Sequence, residues 1–202
     1  MELVIATRNK KKEKEIKNLV KDLGMIITSL KDYPRMPEIK EDGDTFVGNA
    51  AKKAESVAAV TNKWTLADDS GLEVDVLDGR PGVYSARFAG KKQDNRANIR
   101  KLLRLMKDVP RGKRQARFKC AIAISRPGGE VIKVVSGVCE GLISLKPRGN
   151  FGFGYDPVFI IPAYNKTFAE LGAAIKDRIS HRGRALNQAR TFISHLQFNR
   201  QS

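Results

Sequence analysis

"LVIATRNKKKEKEIKNLVKDLGMIITSL", residues 3–30, decides the fold class. It opens on Leu3 to Thr7, a short run of apolar and β-branched side chains that suits a buried strand. Ile16, Leu19, Val20 and Leu23 then recur at i, i+3, i+4 and i+7, one apolar stripe on a helix, and Gly24 supplies its stop. "MIITSL", residues 25–30, returns to a strand pattern. Strand, helix, strand in that order places helices on a sheet, the α/β class.

The same alternation continues along the chain. Residues 31–44 are polar, broken by Pro34 and Pro37, and read as a loop. Thr45 is an N-cap for a helix whose buried face carries Phe46, Ala50, Ala54 and Val57. "WTLAD" (64–68) and "LEVDVL" (72–77) read as two strands. Ile99, Leu102, Leu103 and Met106 mark another helix. "QARFKCAIAIS" and "EVIKVVSGVCEG" flank "RPGG", a hairpin signal, so residues 113–145 are expected to form a second lobe of one domain spanning residues 1–202. "VFII" is the last expected strand, and Leu186, Ala189, Ile193 and Leu196 the last helix. The sum is a mixed β-sheet flanked by helices.

Lys and Arg number 38 against 22 Asp and Glu, a net charge of +16. Such an excess draws polyanions, whether nucleic acid, an anionic membrane or phosphorylated small molecules, without choosing among them. Cys120 and Cys139 form no CxxC and read as buried thiols in a reducing compartment. The N-terminal apolar run is too short for a signal peptide and no segment reaches membrane-spanning length, so a cytoplasmic protein with no membrane partner is expected.

Four clusters carry the chemistry. The turn after the first strand, Thr7 to Lys12, offers hydroxyl, amide and ammonium donors at a helix start, where free N–H groups favour phosphate. "ADDSG" places Asp68 and Asp69 together; neighbouring strand side chains face opposite ways, so the two acids have different tasks. Carboxylates beside a triphosphate require a hard cation between them, and Mg²⁺ is the natural bridge. "FGFGYDP" (151–157) joins aromatic faces to glycines, as stacking on a base requires, although a core-lining loop has the same composition. "KDRISHRGRAL" adds Lys176, His181 and Arg182, either donors toward a base or phosphate, or a basic helix start capped by Ser180.

Together "TRNKKK", "TFVGNAAKKA", "ADDSGL", "PGVYSARF", "FGFGYDPVF", "TFAEL" and "SHRGRAL" stand in one order and spacing that resembles the inosine/xanthosine triphosphate pyrophosphatase family across nearly the whole chain. The resemblance implies an elongated mixed sheet in two lobes with a central active-site cleft, a homodimer, and Mg²⁺-dependent hydrolysis. ITP, dITP and XTP would yield the monophosphate and pyrophosphate, cleansing the nucleotide pool. It implies Asp69 as general base and metal ligand, with Lys53 and Asp68 as further catalytic groups. Thr7, Arg8, Asn9, Lys10, Lys11, Lys12 and Asn49 would bind the substrate, as would Ser70. Phe153, Gly154, Tyr155 and Asp156 would surround base and sugar, with Lys176, His181 and Arg182 completing the contacts.

The family reads Glu-Asn-Ala where this chain has Gly48-Asn49-Ala50, so an acid near the metal is expected to be missing and Glu41 becomes the second metal carboxylate. Hypoxanthine and xanthine present an acceptor at position 6 and adenine a donor, so site donors would reject adenine. The competing reading is a basic nucleic-acid-binding module without catalysis, which gives the paired acids no task.

Overall fold

The computed structural model describes residues 1–90 and 93–198; among these, the side chains of Leu19, Gln197 and Phe198 lie outside the description. The strands are β1 (Glu2–Ile5), β2 (Ile26–Ser29), β3 (Trp64–Val74), β4 (Gln115–Ser125), β5 (Val131–Ile143), β6 (Phe159–Ile161) and β7 (Lys166–Thr167). Among the described residues they make one sheet in the order β2-β1-β3-β4-β5-β6-β7. β1 runs parallel to both β2 and β3, with Val4 opposite Thr28 and Thr65, whereas β6 is antiparallel to β5 and β7. The sheet is therefore mixed, and the α/β expectation holds.

The chain divides into two compact units. The first comprises Met1–Asp69, Cys120–Gly137 and Arg182–Ser202. Its helices are α1 (Lys10–Val20), α2 (Phe46–Thr61) and, from its second residue on, α6 (His181–Phe198). Ile16 and Val20 of α1, Leu3 and Ile5 of β1, and Leu186, Ala189 and Ile193 of α6 share one apolar cluster, which is why the helical stripes in the sequence were legible. Thr45 caps α2 as expected, accepting from the Gly48 N–H at 3.0 Å. A short 3₁₀ turn follows α1 and ends on Gly24 at φ +62°, a left-handed position that glycine occupies without strain.

The second unit comprises Ser70–Lys119 and Val138–His181. It carries α3 (Asn95–Leu105) and two short helices, α4 (Phe168–Leu171) and α5 (Ala173–Ile179). Leu72, Leu102, Phe118, Phe159 and Phe168 anchor its apolar cluster. Arg114 is buried here and spends its guanidinium on backbone carbonyls, those of Ile143, Met106, Val109 and Ser144. The expected hairpin is present as β4 and β5, closed by the Arg126 N–H to Glu130 carbonyl bond at 3.0 Å. Its turn-proximal residues, Cys120–Gly137, belong to the first unit and its remaining strand residues to the second.

Two expectations change. "WTLAD" and the first half of "LEVDVL" are one continuous strand of 11 residues, because Asp68 and Asp69 are buried and partnered within it, while Asp75–Leu77 turn off as a 3₁₀ helix. A strand ends where polar side chains need water; partnered carboxylates do not. "VFII" is also followed by β7, two residues whose Thr167 begins a capping box with Glu170, its N–H donating to Glu170 Oε2 at 2.7 Å. Both cysteines are free and buried, and burial pushes the Cys120 thiol up to about 12. Among the described residues no helix is long and apolar enough to cross a membrane.

Candidate active site

In the first unit, β3 delivers two carboxylates to opposite sides, as strand geometry requires. Asp68 is fully buried and faces Lys12 of α1, with Nζ–Oδ2 at 2.9 Å, and Arg182, with Nε–Oδ2 at 3.3 Å. Burial alone would raise its pKa, but Lys12, Arg182 and Lys53 hold it well below the usual carboxylate range. Asp68, expected as a further catalytic group, pairs with two cations here. Arg182 is itself buried and pairs also with Glu15. Burial opposes its charge and the two acids outweigh that, holding it above its ordinary value.

Asp69 sits in a different field. Its Oδ2 accepts from Asn49 Nδ2 at 3.0 Å, and Asn49 in turn clasps Gly43, accepting from its N–H at 2.8 Å and donating to its carbonyl at 3.3 Å. Burial pushes the Asp69 carboxyl up to about 6; Lys12 and Lys53 pull it down, Glu41 pushes it further up and the Asn49 bond lowers it. Lys53, one helical turn after Asn49, donates to the Asp68 carbonyl at 2.9 Å and pairs with Glu41 at 2.8 Å. Burial disfavours its charge, yet Asp68, Glu41 and Asp69 keep the ammonium above its usual range.

The turn after β1 is built as a helix start. Asn9 caps α1, its Oδ1 accepting from the N–H groups of Lys11 and Lys12 at 3.0 and 3.2 Å. Thr7 is buried and its Oγ1 accepts from the Asn9 N–H at 3.2 Å, while Arg8 reaches the Met36 carbonyl at 3.1 Å. Lys10 and Lys11 are exposed. The expected cluster is brought together around Lys12, but Asn9 Oδ1 and Thr7 Oγ1 work on the turn itself.

The second unit holds the other set. Asp156 Oδ2 accepts from the Phe153 N–H at 2.8 Å and pairs with Lys176 at 2.6 Å, both charges buried. Lys176 Nζ lies 4.6 Å from the centre of the Phe153 ring, a cation–π contact. Gly152 makes this possible: a Cβ there would meet Asp156 Oδ2 at 2.1 Å, and its φ is +83°. The Tyr155 hydroxyl donates to the Ser85 carbonyl at 2.9 Å, and burial raises its pKa. His181 is buried and stacks on Phe118. Gly154 adopts a left-handed φ of +60° between these groups, and Ser70 follows Asp69 on β3.

Gly48 is exposed at the third position of α2, and a Cβ there would meet only Thr45 Oγ1, at 3.1 Å, within 4 Å. A glutamate at that place completes a capping box with Thr45. The acid that the family pattern places here is absent from this exposed helix start.

Sequence reasoning missed Glu15, Ser85, Asn98 and Phe118. Glu15 had a signal, lying at i+3 from Lys12 on the same helix face. Asn98 donates to the Ser85 and Ala86 carbonyls at 3.3 and 2.9 Å, and no local pattern announces a bond to a distant carbonyl.

The Ham1 family profile matches residues 3–192. The chain belongs to the Ham1 family. Among Ham1-related sequences, the dITP/XTP pyrophosphatase of Desulforamulus reducens is 51% identical over 196 residues, covering 97% of each chain. That of Bacillus subtilis is 50% identical over 187 residues, 93% of this chain and 94% of its own. The HAM1 protein structure from Coxiella burnetii superposes with a TM-score of 0.88 at 39% identity, over 96% of this chain and 99% of that one. The Staphylococcus aureus Ham1 protein gives 0.86 at 39% identity, with the same coverage.

Proposed function

We propose that this chain hydrolyses non-canonical purine nucleoside triphosphates, ITP, dITP and XTP, to the monophosphate and pyrophosphate, removing them from the nucleotide pool. The observation that carries the reading is Asp69, a buried carboxylate with a pKa of about 6 set among Lys12, Lys53, Glu41 and Asn49 in a chain of this family. A base with that pKa is mostly ionised at neutral pH and can still accept a proton from water.

The residues fit a divalent ion. Asp69 and Glu41 are close enough for Glu41 to raise the Asp69 pKa, and hard carboxylate oxygens are what Mg²⁺ takes. Among the described residues no group of three or more His, Cys, Asp or Glu could hold a metal, so Asp69 and Glu41 would share the ion with phosphate oxygens and water. Bound there, Mg²⁺ supplies charge neutralisation for the triphosphate.

Lys12 and Lys53 neutralise the leaving pyrophosphate, and the α1 start with Lys10 and Lys11 supplies further donors. Asp69 orients and deprotonates the water, and Asn49 keeps its carboxylate from turning. Asp68 holds Lys12 in place. We assign purine recognition to Phe153, Gly154, Tyr155, Asp156, Lys176 and His181, with Ser70 touching the nucleotide, and take the working form to be a cytoplasmic homodimer.

The test is pyrophosphate release from ITP, dITP, XTP, GTP and ATP, with Mg²⁺ and with a chelator. The expected result is Mg²⁺-dependent release from the first three, with GTP and ATP at least about tenfold slower, the scale of one unpaired buried group. Asp69→Asn should abolish turnover and leave the circular dichroism spectrum unchanged. Equal rates on all five substrates, or no pyrophosphate from any, refutes the reading.

A further inference from the structure

The hydrogen-bonding atoms of histidine lie on its ring edge, so where they point depends on the ring plane. That torsion is broad and two-fold for an unrestrained side chain. In the second unit the His181 ring lies flat on Phe118, with centroids 4.6 Å apart and planes inclined by 12°. Phe118 comes from β4 and His181 from the start of α6, so the contact is tertiary.

Phe118 is itself held in place. Its ring packs against Phe159 at 4.5 Å and 53°, and against Phe168 at 6.1 Å and 34°. Phe159 and Phe168 are fully buried and stack on each other at 5.4 Å. Turning the Phe118 plane would displace two rings in a close-packed core. The His181 plane therefore follows a face that Phe118 holds fixed.

We infer that Phe118 is a positioning residue for purine recognition, acting through the plane of His181. This rests on the reading above that His181 contacts the nucleotide. Phe118 offers a base no hydrogen bond of its own; it fixes which way the imidazole edge faces before substrate arrives. Removing the flat ring takes this restraint from the His181 plane, so the loss falls on binding and not on the bond-breaking step.

The test uses Phe118→Leu, which keeps apolar bulk without a flat face, and Phe118→Met as a second variant should the first not fold. The expected result is a KM for ITP raised about tenfold, the scale of one hydrogen bond to a buried base, with kcat within about twofold of the parent. The chain contains 2 histidines, so its imidazole proton NMR signals are few. Those of His181 should lose the ring-current shift from Phe118 while those of His195 stay put. Leu102→Ala, a core change in the same unit, should lower Tm without moving KM. In a His181→Ala background, Phe118→Leu should raise KM no further.

An unchanged KM in Phe118→Leu while His181→Ala raises it overturns the inference and leaves the functional reading standing. Additive effects in the double variant, or an equal KM rise in Leu102→Ala, overturn it likewise. An unchanged KM in His181→Ala overturns it from beneath, by removing the contact on which it rests.

Discussion

Replacing Asp68 by Asn tests the electrostatic frame under the candidate active site. The carboxylate is fully buried, with Lys12 at 2.9 Å and Arg182 at 3.3 Å, and those two side chains are 16% and 3% exposed. Asn keeps the shape and removes the charge, leaving Lys12 with Asp69 as its neighbouring acid and Arg182 with Glu15. Removing one partner of a buried pair costs about 3 to 5 kcal/mol, because the remaining charges stay desolvated. For a chain of this size each kcal/mol moves Tm by about 2–4 °C, so a loss of about 6–20 °C is expected.

The pH dependence follows from the sign of the shift. The folded-state pKa of Asp68 is depressed, so its contribution is present above its unfolded value of about 3.9 and fades as pH falls toward the folded value. Urea unfolding of parent and variant should give a difference that is flat from about pH 8 to pH 5 and shrinks below about pH 4. A difference under about 1 kcal/mol, the level of an exposed pair, would refute the reasoning. So would a difference that grows on acidification.

Gly48→Glu should stabilise the protein by about 1 kcal/mol, from helix propensity and the capping box, without changing the Mg²⁺ concentration for half-maximal activity; activation titrations and urea melts check both. Glu13 is held down to about 2, first by its hydrogen bond from Lys31 and also by Lys17, against the opposing effect of burial. Its stabilisation is complete above about pH 4.5 and lost as pH drops toward about 2, so Glu13→Gln should flatten that acid limb in thermal melts. Lys176→Met leaves Asp156 buried without its cation; Tm should fall by at least about 6 °C, and Asp156→Asn added to it should recover part of the loss.

Much of this protein is written locally. Strand runs, the apolar stripes of α1 and α6, and the Thr45 cap need only neighbours within a turn or a pleat, so they survive translation into three dimensions unchanged. Asp69 stood out as one of two adjacent acids, and Lys53 came with the resemblance to a family. The resemblance to a family supplied their tasks.

Other features depend on residues that meet only after folding. The strand through Asp68 and Asp69 looked broken because two adjacent acids oppose burial; Lys12, Arg182 and Asn49, distant in sequence, make burial tolerable. The ion pairs of Arg182 with Asp68 and Glu15 likewise join residues far apart in the chain. Gly48, read as the place of a missing metal carboxylate, sits at an exposed helix start on α2. Phe118 drew no reading from its sequence, and its contact emerges only where His181 lies flat on it. Sequence sets which groups exist and which stretches can order locally; the electric field and ring planes at each group are set by long-range packing, and only the tertiary structure decides them.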